Sequence, residues 1–209
     1  SSITDKKVLS PSSDNLSLTY SLSGFGEEEA NQNAVDLVIV VDNSGSMSGT
    51  RINNAKSAAR EVVGKMKASD RCAIVRFTSS ASTLQGLTSD TEKLNTAINR
   101  LGASGGTSIY RGIDQALSIL KSESNESRQK FIILLSDGED GSTAQSLASA
   151  KRAGEQEVRI FSLMIGTGTL QMQNIAINSN GIYKNSPTAA EIGEIMSYFA
   201  SEVFDTAGR

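Results

Sequence analysis

Two apolar runs, VDLVIVV at 35–41 and FIILLS at 131–136, constrain this chain more than any other feature. A strand with one wet face alternates polar and apolar residues, whereas a run of this kind suits a strand covered on both faces, as in a parallel sheet. CAIVRF (72–77) and VRIFSLMIG (158–166) have the same character, each interrupted by an arginine. STLQGL, about 82–87, is short and more polar and reads as one antiparallel edge strand; GIYKNS (181–186) reads as a last short strand. Amphipathic segments lie between them. Ile52, Ala55, Ala59, Val62 and Met66 share one helical face, as do Ile109, Ile113, Leu117 and Leu120. Ile192, Ile195, Met196, Phe199 and Val203 form a third stripe, and shorter helices are expected near 90–101, 142–153 and 169–177. Strands alternating with helices predict an α/β fold: a doubly wound, mostly parallel central sheet with helices on both faces.

Residues 1–34 differ. Within them NLSLTYSLS (15–23) alternates strictly and predicts a half-buried flanking strand, and GFGEEEANQN (24–33) reads as an exposed acidic linker. The expected division is a flanking strand and linker over 1–34 and one α/β domain over 35–206. The chain has no initiator methionine and reads as part of a larger polypeptide. No stretch reaches the roughly 18 apolar residues of a membrane helix, so no membrane insertion is expected.

Open parallel sheets bind ligands in the crevice at the carboxyl ends of their strands. Asp42 ends the first apolar run and opens DNSGS (42–46); FIILLSDGED places Asp137 just past the second. Between them, GASGGTSIYRGI carries Thr107 in a glycine-rich loop ahead of a helix. If the loop after Asp42 is extended, residues 42, 44 and 46 point the same way. Asp42, Ser44, Ser46, Thr107 and Asp137 are thus candidates for one cluster of oxygen ligands, the donor set of a hard cation. Each of the three hydroxyls could equally be a helix N-cap.

Composition narrows the chemistry. The sequence contains no histidine and one cysteine. Ser-His-Asp and Cys-His catalysis, histidine general bases and His- or thiolate-ligated zinc are therefore excluded. Cys72, inside an apolar run, reads as a buried hydrophobe. A net charge of −3 argues against nucleic acid as a partner.

DNSGS at 42–46, GGT at 105–107 and SDG at 136–138 together resemble the von Willebrand factor A domain family with its metal-ion-dependent adhesion site. The resemblance covers about residues 35–206, with no departure at the five ligand positions. It implies that Ser44 and Ser46 bind a divalent metal directly, Asp42 and Asp137 directly or through water, and Thr107 in the ligand-competent state. Mg²⁺ is the expected ion, with Mn²⁺ or Ca²⁺ as alternatives. An Asp or Glu of a protein partner would complete the coordination, and Met47, Ser48, Ser108, Tyr110 and Glu139 would surround that contact. By the same analogy, the last helix (188–204) is where a conformational switch would act.

DNSGSM is not a calcium EF-hand loop, because Met47 stands where glycine is required and Asn53 where a bidentate glutamate belongs. No P-loop is present, and GSMSG at 45–49 has Met47 in a nucleophile's place. The expected function is non-enzymatic: metal-dependent adhesion, extracellular or at the cell surface. The alternatives are an intracellular module docking on an ATPase or other assembly partner and, behind it, metal-assisted hydrolysis by Asp42 and Asp137.

Overall fold

The computed structural model describes residues 34–138, 140–186 and 188–205. The flanking strand and linker expected before residue 34 lie outside the described residues, as does Glu139.

Among the described residues, six strands form one sheet: β1 (Val35–Asp42), β2 (Arg71–Phe77), β3 (Ala81–Thr88), β4 (Gln129–Ser136), β5 (Val158–Ile165) and β6 (Tyr183–Ser186), in the order β3-β2-β1-β4-β5-β6. All neighbours pair in parallel except β2 and β3, so β3 is the antiparallel edge strand the sequence predicts. Among the described residues, five α-helices join the strands, α1 (Thr50–Gly64), α2 (Thr91–Asn99), α3 (Ile109–Glu123), α4 (Thr143–Glu155) and α5 (Leu170–Asn178), and a sixth, α6 (Ala189–Phe204), follows β6.

The apolar run of β1 is divided between two cores because successive side chains point to opposite faces. Leu37, Ile39 and Val41 join α1, α2 and α6 on one side, through Ile52, Ala59, Val62, Leu94, Ile98, Met196 and Phe199. Val38 and Val40 join α3, α4 and α5 on the other, through Ile109, Ile113, Ala116, Ala150, Ala153, Met172 and Ile175. Both faces of β1 are therefore dry, which is why its sequence shows no alternation. Cys72 is fully buried, and that burial pushes its thiol pKa up, so it stays an unreactive hydrophobe.

Arg71 and Arg159, within strands, and Arg128, just before β4, have defined neighbours. Arg71 and Arg128 pair with Asp36, the one charge inside the β1 run, at 2.6 and 2.7 Å. The Arg159 guanidinium lies 5.7 and 5.2 Å from the ring centroids of Phe131 and Phe161.

The order of strands places β1 at a reversal. From β1 the chain builds outward to β2 and β3, then returns to β4 on the other side. The gap between the carboxyl ends of β1 and β4 is the topological switch point, where open α/β sheets place their ligand sites. Helix α3 is set close above it: a Cβ added at Gly112 would lie 2.8 Å from both Phe77 Cδ1 and Val40 Cγ1. Only glycine permits that approach, and it fixes the loop that carries Thr107.

Candidate metal centre

β1 ends on Asp42, which is fully buried. Its Oδ1 accepts the Ser44 backbone N–H at 2.8 Å and its Oδ2 accepts the Ser136 hydroxyl at 2.6 Å. Among the described residues no lysine or arginine pairs with this carboxylate. Burial raises its pKa above the ordinary aspartate value, and the negative charge of Asp137 adds to the rise.

The next turn differs from the extended loop expected from alternation. Ser44 itself is extended (φ −67°, ψ 164°), but Gly45–Met47 form a single turn of 3-10 helix. The turn still brings the two hydroxyls together: Ser44 Oγ and Ser46 Oγ are 3.0 Å apart. Ser46 Oγ continues the chain by donating to Asp137 Oδ1 at 2.7 Å. Ser44 precedes the turn without a side-chain capping bond, so its hydroxyl is not consumed by capping. Four of the expected residues are thus joined in one row across the ends of β1 and β4.

Thr107 belongs to a loop tied to the same place from both sides. Gly105 has φ 85°, a left-handed conformation natural to glycine, and its carbonyl accepts the Gly45 N–H at 3.1 Å. Asn43 holds the other strand of that loop: its Oδ1 accepts the Gly102 N–H and its carbonyl accepts the Ser104 N–H, each at 2.7 Å. Thr107 is half-buried and is not the N-cap of α3, a position taken by Ser108.

The residues expected around the site have mixed fates. Ser48 is exposed, and Ser108 and Tyr110 are half-buried, with the Arg111 guanidinium 5.1 Å from the Tyr110 ring centroid. Met47 is a correction. It is fully buried within the core beneath α1, so it cannot meet a partner. The turn that gathers Ser44 and Ser46 carries the intervening side chain inward, and a thioether fills that space without a polar cost.

Residues that sequence reasoning passed over complete the arrangement. Ser136 bonds Asp42 directly and sits in the SDG motif, so its hydroxyl was visible but unread. Asp140, buried, accepts the Ile109 N–H at 2.5 Å and the Gln171 amide at 2.6 Å, linking the starts of α3 and α5. Arg51 reaches across from α1: its Nη1 donates to Asp137 Oδ2 at 2.7 Å and to the Ser46 carbonyl at 3.1 Å.

The donor chemistry fits a hard cation. Among the described residues no group of three or more His, Cys, Asp or Glu side chains is placed to hold a metal. Here the donors are instead two carboxylates and a row of hydroxyls, oxygen throughout, around a buried anion, Asp42, that has no cationic partner of its own among the described residues.

Comparison with known proteins agrees with the fold. Residues 37–139 match the von Willebrand factor type A domain family. An uncharacterised protein of Synechocystis is 28% identical over 164 residues, covering 75% of this chain but only 39% of its own length. Among solved structures, a von Willebrand factor type A protein from Catenulispora acidiphila superposes with a TM-score of 0.76 at 24% identity, over 82% of this chain and 43% of that one. Proximal thread matrix protein 1 of the mussel byssus, solved with zinc occupying its metal-ion-dependent adhesion motif, gives 0.67 at 21% identity, over 80% and 46%. This chain therefore spans less than half of each of these three proteins.

Proposed function

We propose that this chain, which carries a von Willebrand factor type A domain, is a divalent-metal-dependent adhesion module. The domain is a protein-interaction module that in its family is often metal-dependent and built into larger proteins. The finer reading is that Asp42, Ser44, Ser46, Thr107 and Asp137 hold one cation, with residues 35–206 forming the functional unit.

One observation carries this reading. Asp42 is buried at the switch point with no counter-charge of its own among the described residues, and burying an unpaired carboxylate is costly. A divalent cation at that position would offset the cost. The hydroxyl row from Ser44 through Ser46 to Asp137 supplies neutral oxygens beside it, leaving the bound ion under-neutralised. When bound, the metal supplies an electrophilic coordination position that an Asp or Glu of a protein partner can fill. Mg²⁺ suits such a site, because it takes oxygen donors and keeps water ligands that a partner can replace. The zinc-bearing adhesion motif of the mussel byssus protein supports the same reading by analogy of fold. Exposed Ser48 and half-buried Ser108 and Tyr110 would border the contact. An extracellular or cell-surface setting is part of the proposal. Among the described residues, no helix is long and apolar enough to cross a membrane.

Calorimetric titration of Mg²⁺, Mn²⁺ and Ca²⁺ into chelator-treated wild type and Asp42→Ala tests the site. One-site binding in wild type that is lost in the variant is the expected result. Unchanged affinity in Asp42→Ala would sink the assignment.

A further inference from the structure

The Arg51 guanidinium bridges the two loops of the proposed metal site, touching the Ser46 carbonyl on one and the Asp137 carboxylate on the other. Its placement is selective. Asp137 Oδ1 faces the hydroxyl row and takes the Ser46 Oγ–H; Arg51 takes Oδ2 and leaves Oδ1 to the hydroxyl side. The Asp137 side chain is 1% exposed while that of Arg51 is 50% exposed, so a half-solvated cation lies against a buried anion.

Local helix physics does not explain an arginine here. Residue 51 is the second residue of α1, whose first turn holds no acidic residue. The amino end of a helix carries partial positive charge, so a cation there is unfavourable. A residue that contradicts its local setting points to a tertiary role.

We infer that Arg51 is a tethered counter-cation of the metal site: it holds the Ser46 and Asp137 loops together without metal, and its charge lowers the affinity of the site for a divalent ion. The inference rests on the metal-binding reading above. It makes Arg51 an affinity-setting residue of that site, because its repulsion grows with the charge of the ion that enters beside Asp137. The penalty bears hardest on a divalent ion, which is therefore bound with moderate rather than extreme affinity. Such an ion would exchange readily, as reversible adhesion requires.

The test is Mg²⁺ calorimetry on the full chain as wild type, Arg51→Gln and Arg51→Lys, with thermal unfolding of each in chelator. Removing the charge in Arg51→Gln is expected to tighten Mg²⁺ binding by about tenfold, the scale of one partly screened unit charge nearby. The same variant should melt lower than wild type in chelator, because the bridge between the loops is lost. Arg51→Lys keeps the charge and should bind Mg²⁺ within about twofold of wild type. Binding in wild type with equal or weaker affinity in Arg51→Gln overturns the inference alone. Equal tightening in Arg51→Lys also overturns it, since geometry and not charge would then be responsible. No Mg²⁺ binding in either wild type or Arg51→Gln removes the metal-site reading and the inference with it.

Discussion

Ser136 and Asp42, on neighbouring strands, close the carboxyl ends of β4 and β1 with a 2.6 Å hydrogen bond from Ser136 Oγ to Asp42 Oδ2. That bond orients a carboxylate whose other oxygen is held by the Ser44 N–H. Both oxygens of Asp42 thus have a fixed direction before any ligand arrives. Preorganisation of this kind would suit the metal site proposed above.

Removing the Ser136 hydroxyl should therefore weaken the site without destroying it. For Ser136→Ala we expect Mg²⁺ affinity to fall by roughly tenfold, the lower end of the effect of losing an outer-shell partner. Calorimetry beside wild type measures this. An unchanged affinity would mean that Asp42 is oriented by the backbone alone.

Asp42 should carry a pH signature. Burial raises its folded-state pKa above the unfolded value of about 3.9, so the folded chain holds this proton more tightly. Its contribution to stability is then most favourable below that value and is lost as pH rises through the raised folded pKa. In chelator, Asp42→Asn should gain stability relative to wild type as pH increases from 4 to 7, and should lose the stabilisation that Mg²⁺ gives wild type. Thermal unfolding across that range is the measurement; a difference that does not change with pH would contradict it.

Asp36 has the opposite sign. Burial by itself would raise its pKa, but the guanidinium of Arg71, and then that of Arg128, hold it below the ordinary value. Its stabilisation is present above the unfolded pKa of about 3.9 and is lost as pH falls toward the lowered folded value. Asp36→Ala leaves two arginines without their buried partner and should cost about 3 kcal/mol by urea denaturation. Because Asp36 and Asp42 are at opposite ends of β1, Mg²⁺ affinity should not move. A loss of metal binding would show that the two ends of the strand are coupled.

Gly112 predicts a purely steric effect. Its Cβ-less surface lets α3 sit against Phe77 and Val40, where an added methyl would meet both at 2.8 Å. Gly112→Ala should destabilise the chain by about 1–3 kcal/mol, despite alanine's better helix propensity. A stabilised variant, read from its unfolding midpoint, would mean that the helix can lift without cost.

Much of this architecture was legible in the sequence because the hydrophobic pattern is consistent across levels. The runs at 35–41 and 131–136 became central strands, and STLQGL became the antiparallel edge. The stripe of Ile109, Ile113, Leu117 and Leu120 is buried throughout. Burial on both faces and the helical period leave marks in the chain itself. The loop after Asp42 was harder. Alternation predicted an extended segment, and a 3-10 turn formed instead, gathering Ser44 with Ser46 while turning Met47 into the core. Turn geometry depends on what the turn packs against, and that contact, α1 and the core beneath it, is distant in sequence.

The sequence by itself determined the strand and helix order, the absence of histidine and of any second cysteine, and which strand ends carry oxygen. These follow from residue type and spacing, which need no partner to be read. The tertiary structure alone decided which charges meet. Arg51 and Asp137 stand 86 residues apart and Ser136 and Asp42 stand 94 apart, and no local pattern marks either pair. Charged and polar side chains find partners only after the sheet has closed and brought its strand ends together, because their geometry is set by packing rather than by the period of the chain.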